Sequence, residues 1–207
     1  MGVRNIIFDL GGVLLNIDFN RTFQAFEAFG IPDFGRFFQQ SFSNPLFAAL
    51  EKGDCTPDQF YDSFRKETGL ALENEQITLA WNAMLLDFRN ESMAYLESLK
   101  GKYRLFLLSN TNQIHLDAFR DIHFRQYGHH NFDSHFEKAW YSHELGLRKP
   151  NGECYAKVLA LHGLAAEETL FVDDTAINIE GAAKLRIGTL LLGKTENIET
   201  VMPALLG

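Results

Sequence analysis

The sequence predicts a doubly wound, Rossmann-like α/β fold with a small α-helical bundle inserted after the first strand. Short, continuous apolar runs recur along the chain, as in parallel strands that are buried on both faces. Segments with helical periodicity separate these runs, which indicates right-handed βαβ units. Residues 16–89 break the alternation, because they offer helical patterns and no convincing strand. We therefore expect an α/β core domain at residues 1–15 and 90–207 and an inserted helical domain at residues 16–89.

The predicted elements follow in chain order. Strands are expected at residues 5–8, 103–108, 138–141, 169–172 and 187–192, and core helices at 92–99, 152–161 and 177–185. In the inserted segment, Thr56-Pro57 marks a helix start, since Thr caps a helix and Pro suits its first turn. Ile77, Trp81 and Met84-Leu85 indicate another helix. Five phenylalanines are expected in the core of the bundle rather than against a substrate: Phe34, Phe37, Phe38, Phe42 and Phe47.

Composition excludes several classes of protein. A chain of 207 residues with 46% hydrophobic content suits one globular domain or a core domain with a modest insertion. Nineteen basic against 27 acidic residues leave a net charge of −8, which argues against nucleic-acid binding. No apolar run approaches the roughly 20 residues of a membrane span, and no signal peptide is apparent. Cys55 and Cys154 have no metal spacing, so we expect reduced thiols and a cytoplasmic protein.

Polar side chains follow three of the predicted strands at the point where each strand ends. They are Asp9, then Ser109-Asn110, then Asp173-Asp174. Ligands of open α/β sheets bind outside the carboxyl ends of the strands, so these groups should share one crevice. Acids brought together repel each other unless a cation compensates, and oxygen ligands suit Mg²⁺. The sequence therefore predicts a magnesium site that contains Asp9, Asp173 and Asp174.

A carboxylate at such a site can also act as a nucleophile toward phosphorus. Attack by Asp9 would form an aspartyl-phosphate. The Ser109 Oγ and the backbone N–H of Asn110 would hold phosphate oxygens. Lys149 would supply positive charge for the nucleophile and for the charge that develops in the reaction. We thus expect a small phosphorylated metabolite as the partner of this site.

Four segments resemble, in order, the motifs of the haloacid dehalogenase superfamily, whose members often carry a helical cap where residues 16–89 lie here. The segments span nearly the whole chain: Phe8-Asp9-Leu10-Gly11-Gly12-Val13-Leu14, Leu108-Ser109-Asn110, Arg148-Lys149-Pro150 and Phe171-Val172-Asp173-Asp174. The flanking residues look most like the bacterial sugar-phosphatase branch that includes an α-D-glucose-1-phosphate phosphatase. The resemblance implies a Mg²⁺-dependent phosphatase, with a sugar phosphate such as glucose 1-phosphate as the candidate substrate.

The resemblance also implies roles for single residues. Asp9 would be the nucleophile and a metal ligand, and the Gly11 carbonyl a second ligand. Asp174 would bind the metal directly, with Asp173 aiding through water or hydrogen bonds. Asn178, four residues after Asp174, would orient it from the same helix face. The expected substrate-binding residues are Gly11, Gly12, Ser109, Asn110 and Lys149, and the expected catalytic residues are Asp9, Ser109 and Lys149.

The chain departs from the family pattern at Gly11, where most phosphatases of the family carry an acid that protonates the leaving alcohol. Glycine cannot transfer a proton, and such help is typically worth about 10²–10⁴ in rate. Three readings stay open: a substrate with a better leaving group, a cap residue or water in place of the acid, or a weak site that serves phosphate binding. The family's dehalogenases also lack this acid, but they work without metal and do not need the Asp173-Asp174 pair.

Four histidines lie within thirteen residues: His123, His129, His130 and His135. Their spacing matches no helical pair and no zinc motif. We therefore expect them on an exposed loop or on a surface near the mouth of the active site, rather than around a second metal.

Overall fold

Parallel strands form the centre of the protein. The computed structural model describes residues 2–41 and 45–206, and within these ranges five strands pair in parallel in the order β5-β4-β1-β6-β7. In chain order the strands are β1 (Asn5–Phe8), β2 (Leu15–Ile17), β3 (Leu85–Phe88), β4 (Arg104–Ser109), β5 (Lys138–Tyr141), β6 (Thr169–Asp173) and β7 (Gly188–Leu191). The expected doubly wound α/β sheet is confirmed. Strand β1 lies between β4 and β6, where the strand order reverses.

Helices connect the strands and form the inserted bundle. In the bundle they are α1 (Phe19–Ala28), α2 (Phe34–Ser41), α3 (Pro45–Lys52), α4 (Pro57–Thr68) and α5 (Asn74–Asn82). The remaining helices are α6 (Asn90–Leu99), α7 (Gln113–Tyr127), α8 (Ser142–Leu145), α9 (Gly152–His162), α10 (Ala176–Ala183), α11 (Ile198–Val201) and α12 (Pro203–Leu206). Short 3₁₀ turns lie at Phe132–His135 and Ala166–Glu168. In the described ranges, no helix is both long and apolar enough to cross a membrane.

The sheet is buried on both faces, which explains its continuous apolar strands. Side chains alternate between the faces along a strand, so Ile7 and Phe8 enter different cores. Phe8 packs in the cluster that contains residues of α6 and α7, such as Leu96 and Phe119. Ile7 packs in the cluster that contains residues of α9 and α10, such as Tyr155. Helices therefore cover each face, and the carboxyl edge of the sheet is left as the place for a site.

The bundle has an apolar cluster of its own. Its centre is aromatic, with Phe26, Phe34, Phe60 and Phe64 fully buried and Trp81 nearly so. Each fully buried side chain of this kind contributes about 1.5–3 kcal/mol to folding. Phe47 is also buried and Phe38 packs against the cluster, as expected, whereas Phe42 and the side chain of Phe37 lie outside the described part of the chain.

Local sequence signals set the ends of α4. Thr56 accepts a hydrogen bond from the Gln59 backbone, and the Gln59 side chain accepts one from the Thr56 N–H. This capping box satisfies two backbone donors that the first turn leaves without helical partners. Pro57 stands at the start of the helix and Gly69 ends it in the left-handed conformation, so the helix start predicted at Thr56-Pro57 is confirmed.

A pair of short strands corrects the expectation that residues 16–89 hold helices alone. Strands β2 and β3 pair antiparallel, with Leu15 opposite Phe88 and Ile17 opposite Leu85. Helix α5 ends at Asn82, so the helical interpretation of Met84-Leu85 was wrong. Strands of three and four residues carry too little pattern to be seen in a sequence, because each is defined by a distant partner. The domain boundaries at residues 15–16 and 89–90 stay a prediction.

Candidate active site

The ends of three neighbouring strands meet at one edge of the sheet. Asp9 follows β1 directly, while Ser109 and Asp173 are the last residues of β4 and β6. The Asp9 backbone N–H donates to the Val172 carbonyl at 2.8 Å, which extends the pairing of β1 with β6 to the point where the side chains diverge. The strand order alone therefore brings together groups that lie far apart in the sequence.

Lys149 joins two of these carboxylates. Its Nζ lies 2.7 Å from Asp9 Oδ1 and 2.7 Å from Asp173 Oδ2, and its side chain is only 1% exposed. Asn110 holds the backbone of Lys149, since its Nδ2 donates to the Lys149 carbonyl and its Oδ1 accepts from the Lys149 N–H, both at 2.9 Å. Sequence reasoning assigned Asn110 only a backbone N–H toward phosphate and missed this side-chain contact, for which the sequence carries no signal.

The charges of the site are strongly coupled by burial. Burial raises the pKa of Asp9 to about 7; Lys149 opposes this shift, and Asp173 adds to it. Burial disfavours the charged form of Lys149, yet Asp9 and Asp173 raise its pKa above the ordinary value. Partial burial also raises the pKa of Asp174, as does the charge of Asp173. One cation thus faces three acids, which leaves negative charge for a further cation to balance.

The three aspartates suit a divalent metal ion. Asp9, Asp173 and Asp174 each offer an oxygen, and these atoms all lie within 4.8 Å of one another. Gly12 permits the close approach, because a Cβ built there would lie 2.0 Å from Asp174 Oδ2 and its φ is +71°. Oxygen donors in this number are the ligands that Mg²⁺ prefers. The residues present therefore fit the ion that the sequence predicts.

The contacts of Asn178 correct one expectation. Its Nδ2 donates to both oxygens of Asp173, at 3.1 Å each, and not to Asp174. Asp173 Oδ1 also accepts from the Thr175 N–H at 2.8 Å, so this carboxylate holds the turn that leads into α10. A four-residue spacing identifies neighbours on a helix, but Asp174 lies before α10 begins, where the spacing does not apply.

Gly11 has a close neighbour from β2. A Cβ built at Gly11 would lie 2.3 Å from Ile17 Cδ1. The space in which an acid side chain would begin at this position is therefore filled by a hydrocarbon. Any side chain at position 11 would require Ile17 to move. The packing of Ile17 therefore agrees with a glycine at this position.

A contact between α3 and the loop that carries Lys149 was not predicted. Arg148 Nη2 lies 2.9 Å from Glu51 Oε2, with each side chain about one-fifth exposed. Burial raises the pKa of Glu51, while Arg148 and Lys149 lower it. At the end of α3, a Cβ built on Gly53 would lie 2.1 Å from the His143 carbonyl, and the φ of Gly53 is +72°. The bundle thus meets the core directly beside the candidate site.

The four histidines fit the expectation of an exposed loop only in part. His123 is 1% exposed in α7, and only His129 and His130 are on the surface after that helix. The expectation of an exposed loop therefore fails for His123. Its burial follows from packing against Phe88 and Phe132, which lie far from it in sequence or beyond the helix.

Fold and site together define a Rossmann-like α/β protein whose buried charged groups lie at the carboxyl edge of the sheet. The model of the haloacid dehalogenase-like hydrolases matches residues 3–186, and the chain belongs to this family.

Several relatives extend the similarity over the whole chain. A D-ribitol-5-phosphate phosphatase of Bacteroides thetaiotaomicron is 28% identical over 97% of this chain and 92% of its own length. A haloacid dehalogenase family enzyme of the same organism, solved with magnesium and inorganic phosphate, is 34% identical over 94% of this chain and 96% of that one, with a TM-score of 0.84. A predicted haloacid dehalogenase (HAD)-like family hydrolase of Porphyromonas gingivalis is 34% identical. The match covers 100% of this chain and 98% of that one, with a TM-score of 0.90.

Proposed function

We propose that this protein is a Mg²⁺-dependent phosphatase that hydrolyses a small phosphate monoester of a sugar or sugar alcohol in the cytoplasm. The observation that carries the proposal is the buried group of Asp9, Asp173 and Lys149 with Asp174 at its edge. The named phosphatase and the structure that holds magnesium and phosphate support it. Cys55 and Cys154 are both free, which agrees with a reducing compartment.

The residues that would hold Mg²⁺ are Asp9, Asp174 and the Gly11 carbonyl. When bound, the ion neutralises charge between the carboxylates and the phosphate, so that two anions can approach each other. Asp173 is engaged by Lys149, Asn178 and the Thr175 N–H, and would act through hydrogen bonds rather than as a direct ligand.

Asp9 begins the reaction as the nucleophile. One of its carboxylate oxygens forms a bond to phosphorus while the bond between phosphorus and the alcohol oxygen breaks. Lys149 favours the ionised form of Asp9 and orients it, since its Nζ holds Oδ1. The Ser109 Oγ, the Asn110 N–H, Gly11 and Gly12 would bind the oxygens of the phosphoryl group. Water then attacks the aspartyl-phosphate, which releases phosphate and restores the carboxylate.

The leaving alcohol must be protonated without help from residue 11. Ile17 fills the space beside Gly11, so the proton comes from water or from a group of the bundle, or the substrate has a leaving group that needs little help. Glucose 1-phosphate, the candidate from sequence, represents the better leaving group. D-ribitol 5-phosphate, the substrate in the relative's name, represents the poorer one. The relative rates at which the two compounds are hydrolysed would show whether the enzyme protonates the leaving group or depends on a substrate that needs little protonation.

Hydrolysis assays test the proposed function. Phosphate release would be measured from p-nitrophenyl phosphate, acetyl phosphate, glucose 1-phosphate and D-ribitol 5-phosphate, with Mg²⁺ and with EDTA. We expect Mg²⁺-dependent turnover of at least one sugar or polyol phosphate, and Asp9→Asn should reduce it to background while the circular dichroism spectrum is unchanged. No turnover above background would favour a phosphate-binding protein instead. Halide release from a 2-haloacid without metal would indicate a dehalogenase.

A further inference from the structure

Three histidines cluster at the far end of α7 from the aspartates, and the proposed phosphatase reaction uses none of them. His123 lies in α7, His129 follows this helix, and His135 ends the next 3₁₀ turn; we call them the histidine cluster. Their rings are close, with centroids 5.0 Å apart for His123 and His129 and 5.7 Å apart for His123 and His135. Helix α7 rises about 1.5 Å per residue, which places His123 roughly 15 Å from the start of the helix beside the active site.

The two inner histidines are held in the same way. His123 Nδ1 lies 3.1 Å from the His129 carbonyl oxygen, and His135 Nδ1 contacts the Glu97 carboxylate. A carbonyl and a carboxylate can only accept, so each Nδ1 carries the proton and each Nε2 keeps a lone pair. Both Nε2 atoms are buried, and neither has a hydrogen-bond partner within residues 2–41 and 45–206. Buried polar atoms without partners are rare in proteins and call for an explanation.

We propose that the histidine cluster binds one divalent transition-metal ion of the Zn²⁺ type. Neutral imidazoles whose other nitrogen donates to a carbonyl or carboxylate are the usual arrangement of metal-binding histidines. Two imidazoles that share a tetrahedral zinc, each nitrogen about 2.0 Å from the metal, have ring centroids about 5 Å apart. The centroid separations of 5.0 and 5.7 Å are close to this value. Burial lowers the pKa of both His123 and His135, which favours the neutral ring.

His129 would complete the set by turning its ring. Among the described residues, Asp9, Asp173 and Asp174 form the one group of three whose ligand atoms all lie within 4.8 Å. In the histidine cluster the rings of His123 and His135 are each fixed by an Nδ1 contact, whereas His129 is exposed and its ring can rotate about its side-chain bonds. A water would take the fourth position of a tetrahedral site.

His130 provides a matched control. Its ring stacks on Phe124, with centroids 4.0 Å apart and an interplanar angle of 2°, and makes no ring contact with the histidine cluster. It is exposed like His129 and next to it in sequence. If surface histidines bound metal ions without a defined site, loss of His129 and loss of His130 would therefore weaken metal binding equally.

Isothermal titration of metal-stripped protein with Zn²⁺, in excess Mg²⁺ to occupy the aspartates, tests the proposal. We expect one Zn²⁺ per chain, unchanged in Asp174→Asn and in His130→Ala. Removing a group that only hydrogen-bonds to a metal ligand typically weakens metal binding about 10- to 100-fold. Removing a ligand itself should therefore weaken Zn²⁺ binding at least tenfold. His129→Ala and His135→Gln should therefore each do so. When Co²⁺ replaces Zn²⁺ as a spectroscopic probe, the bound ion should show the strong visible absorption of a tetrahedral site.

Three results would overturn the proposal. They are the absence of zinc binding in excess Mg²⁺, its loss in Asp174→Asn, and its survival in both His129→Ala and His135→Gln. Since His129 is exposed, His129→Ala should leave the circular dichroism spectrum unchanged, so loss of binding in this variant cannot be attributed to unfolding. The readout does not involve phosphatase activity, so it stands whether or not the proposed reaction is correct.

Discussion

Lys149 shows how single residues create this site. Its ammonium group is buried, and it keeps its charge because Asp9 and Asp173 each hold it at 2.7 Å. Removing one member of a buried charged group usually destabilises a protein strongly, because the remaining charge has neither water nor partner. The protonation of each charged residue in the site therefore depends on the charges of its neighbours.

Asp174 is the acid of the group most open to solvent, and we expect it to govern metal affinity. Asp174→Asn should raise the Mg²⁺ concentration for half-maximal phosphate release at least about tenfold, since the ligand charge sets the affinity of oxygen sites for divalent cations. Asp121→Asn, at an exposed position of α7, is the control and should leave the Mg²⁺ dependence unchanged. An equal Mg²⁺ requirement in both variants would remove Asp174 from the set of ligands.

Position 12 requires glycine for two reasons: its backbone is left-handed, and the Asp174 side chain lies too close to leave room for a Cβ. In Gly12→Ala, the new Cβ would lie 2.0 Å from Asp174 Oδ2, so we expect phosphate release to fall sharply. Gly69→Ala is a matched control, because Gly69 has a φ of +70° and no atom within 4 Å of a Cβ. Both variants should lose about 1–2 kcal/mol of stability from the left-handed backbone. Retained activity in Gly12→Ala would show that Asp174 can move without consequence.

At the scale of elements, α3 links the bundle to the loop of Lys149. We expect Glu51→Gln, which removes the carboxylate from Arg148, to raise KM for the phosphate substrate and to lower the free energy of unfolding by about 2 kcal/mol. Asp62→Asn is the control: Asp62 pairs with Arg65 at 2.7 Å on α4, but its side chain is 79% exposed, so little change is expected. Steady-state kinetics and denaturant unfolding measure both effects, and identical kinetics in the two variants would contradict the link.

The elements also show what sequence can predict. Residues 5–8 and 169–172 were recognised as strands because burial on both faces leaves a continuous apolar run. Strands β2 and β3 were missed, since their pairing joins segments about 70 residues apart and neither is long enough to form a pattern. Asp9 and Asp174 were recognisable as a group because each follows a predicted strand, and the family motifs agreed with this grouping and with the role of Lys149. The Asn110 contact with Lys149 and the Glu51 contact with Arg148 depend on three-dimensional placement, which spacing does not contain.

For the whole molecule, His115 connects the bundle to the core and ties stability to pH. Its Nε2 lies 3.2 Å from the Trp81 carbonyl in α5, and its ring stacks on Trp81. Burial lowers the pKa of His115 to about 4, although the Trp81 carbonyl opposes the shift. Below its ordinary pKa of about 6.5 the unfolded chain binds a proton that the folded chain does not. The stabilisation is thus complete above pH 6.5 and is lost as the pH falls toward 4.

We expect His115→Gln to lose less stability than the wild-type protein when the pH falls from 7 to 4.5. The difference in this pH effect should be about 2–3 kcal/mol, measured by urea unfolding at the two pH values. His130→Gln, at an exposed ring on the surface, should follow the wild-type pH dependence. Parallel behaviour of the His115→Gln and wild-type proteins would show that His115 is not the group responsible.

The strand order also has a consequence for synthesis on the ribosome. Strand β1 is made first, yet it lies between β4 and β6, which are translated much later. The nascent chain must therefore keep an apolar segment without its partners while the bundle emerges and packs around its own aromatic cluster. Such exposed segments are prone to aggregate, so slow translation or scarce chaperones should affect the yield of this protein before they affect its activity.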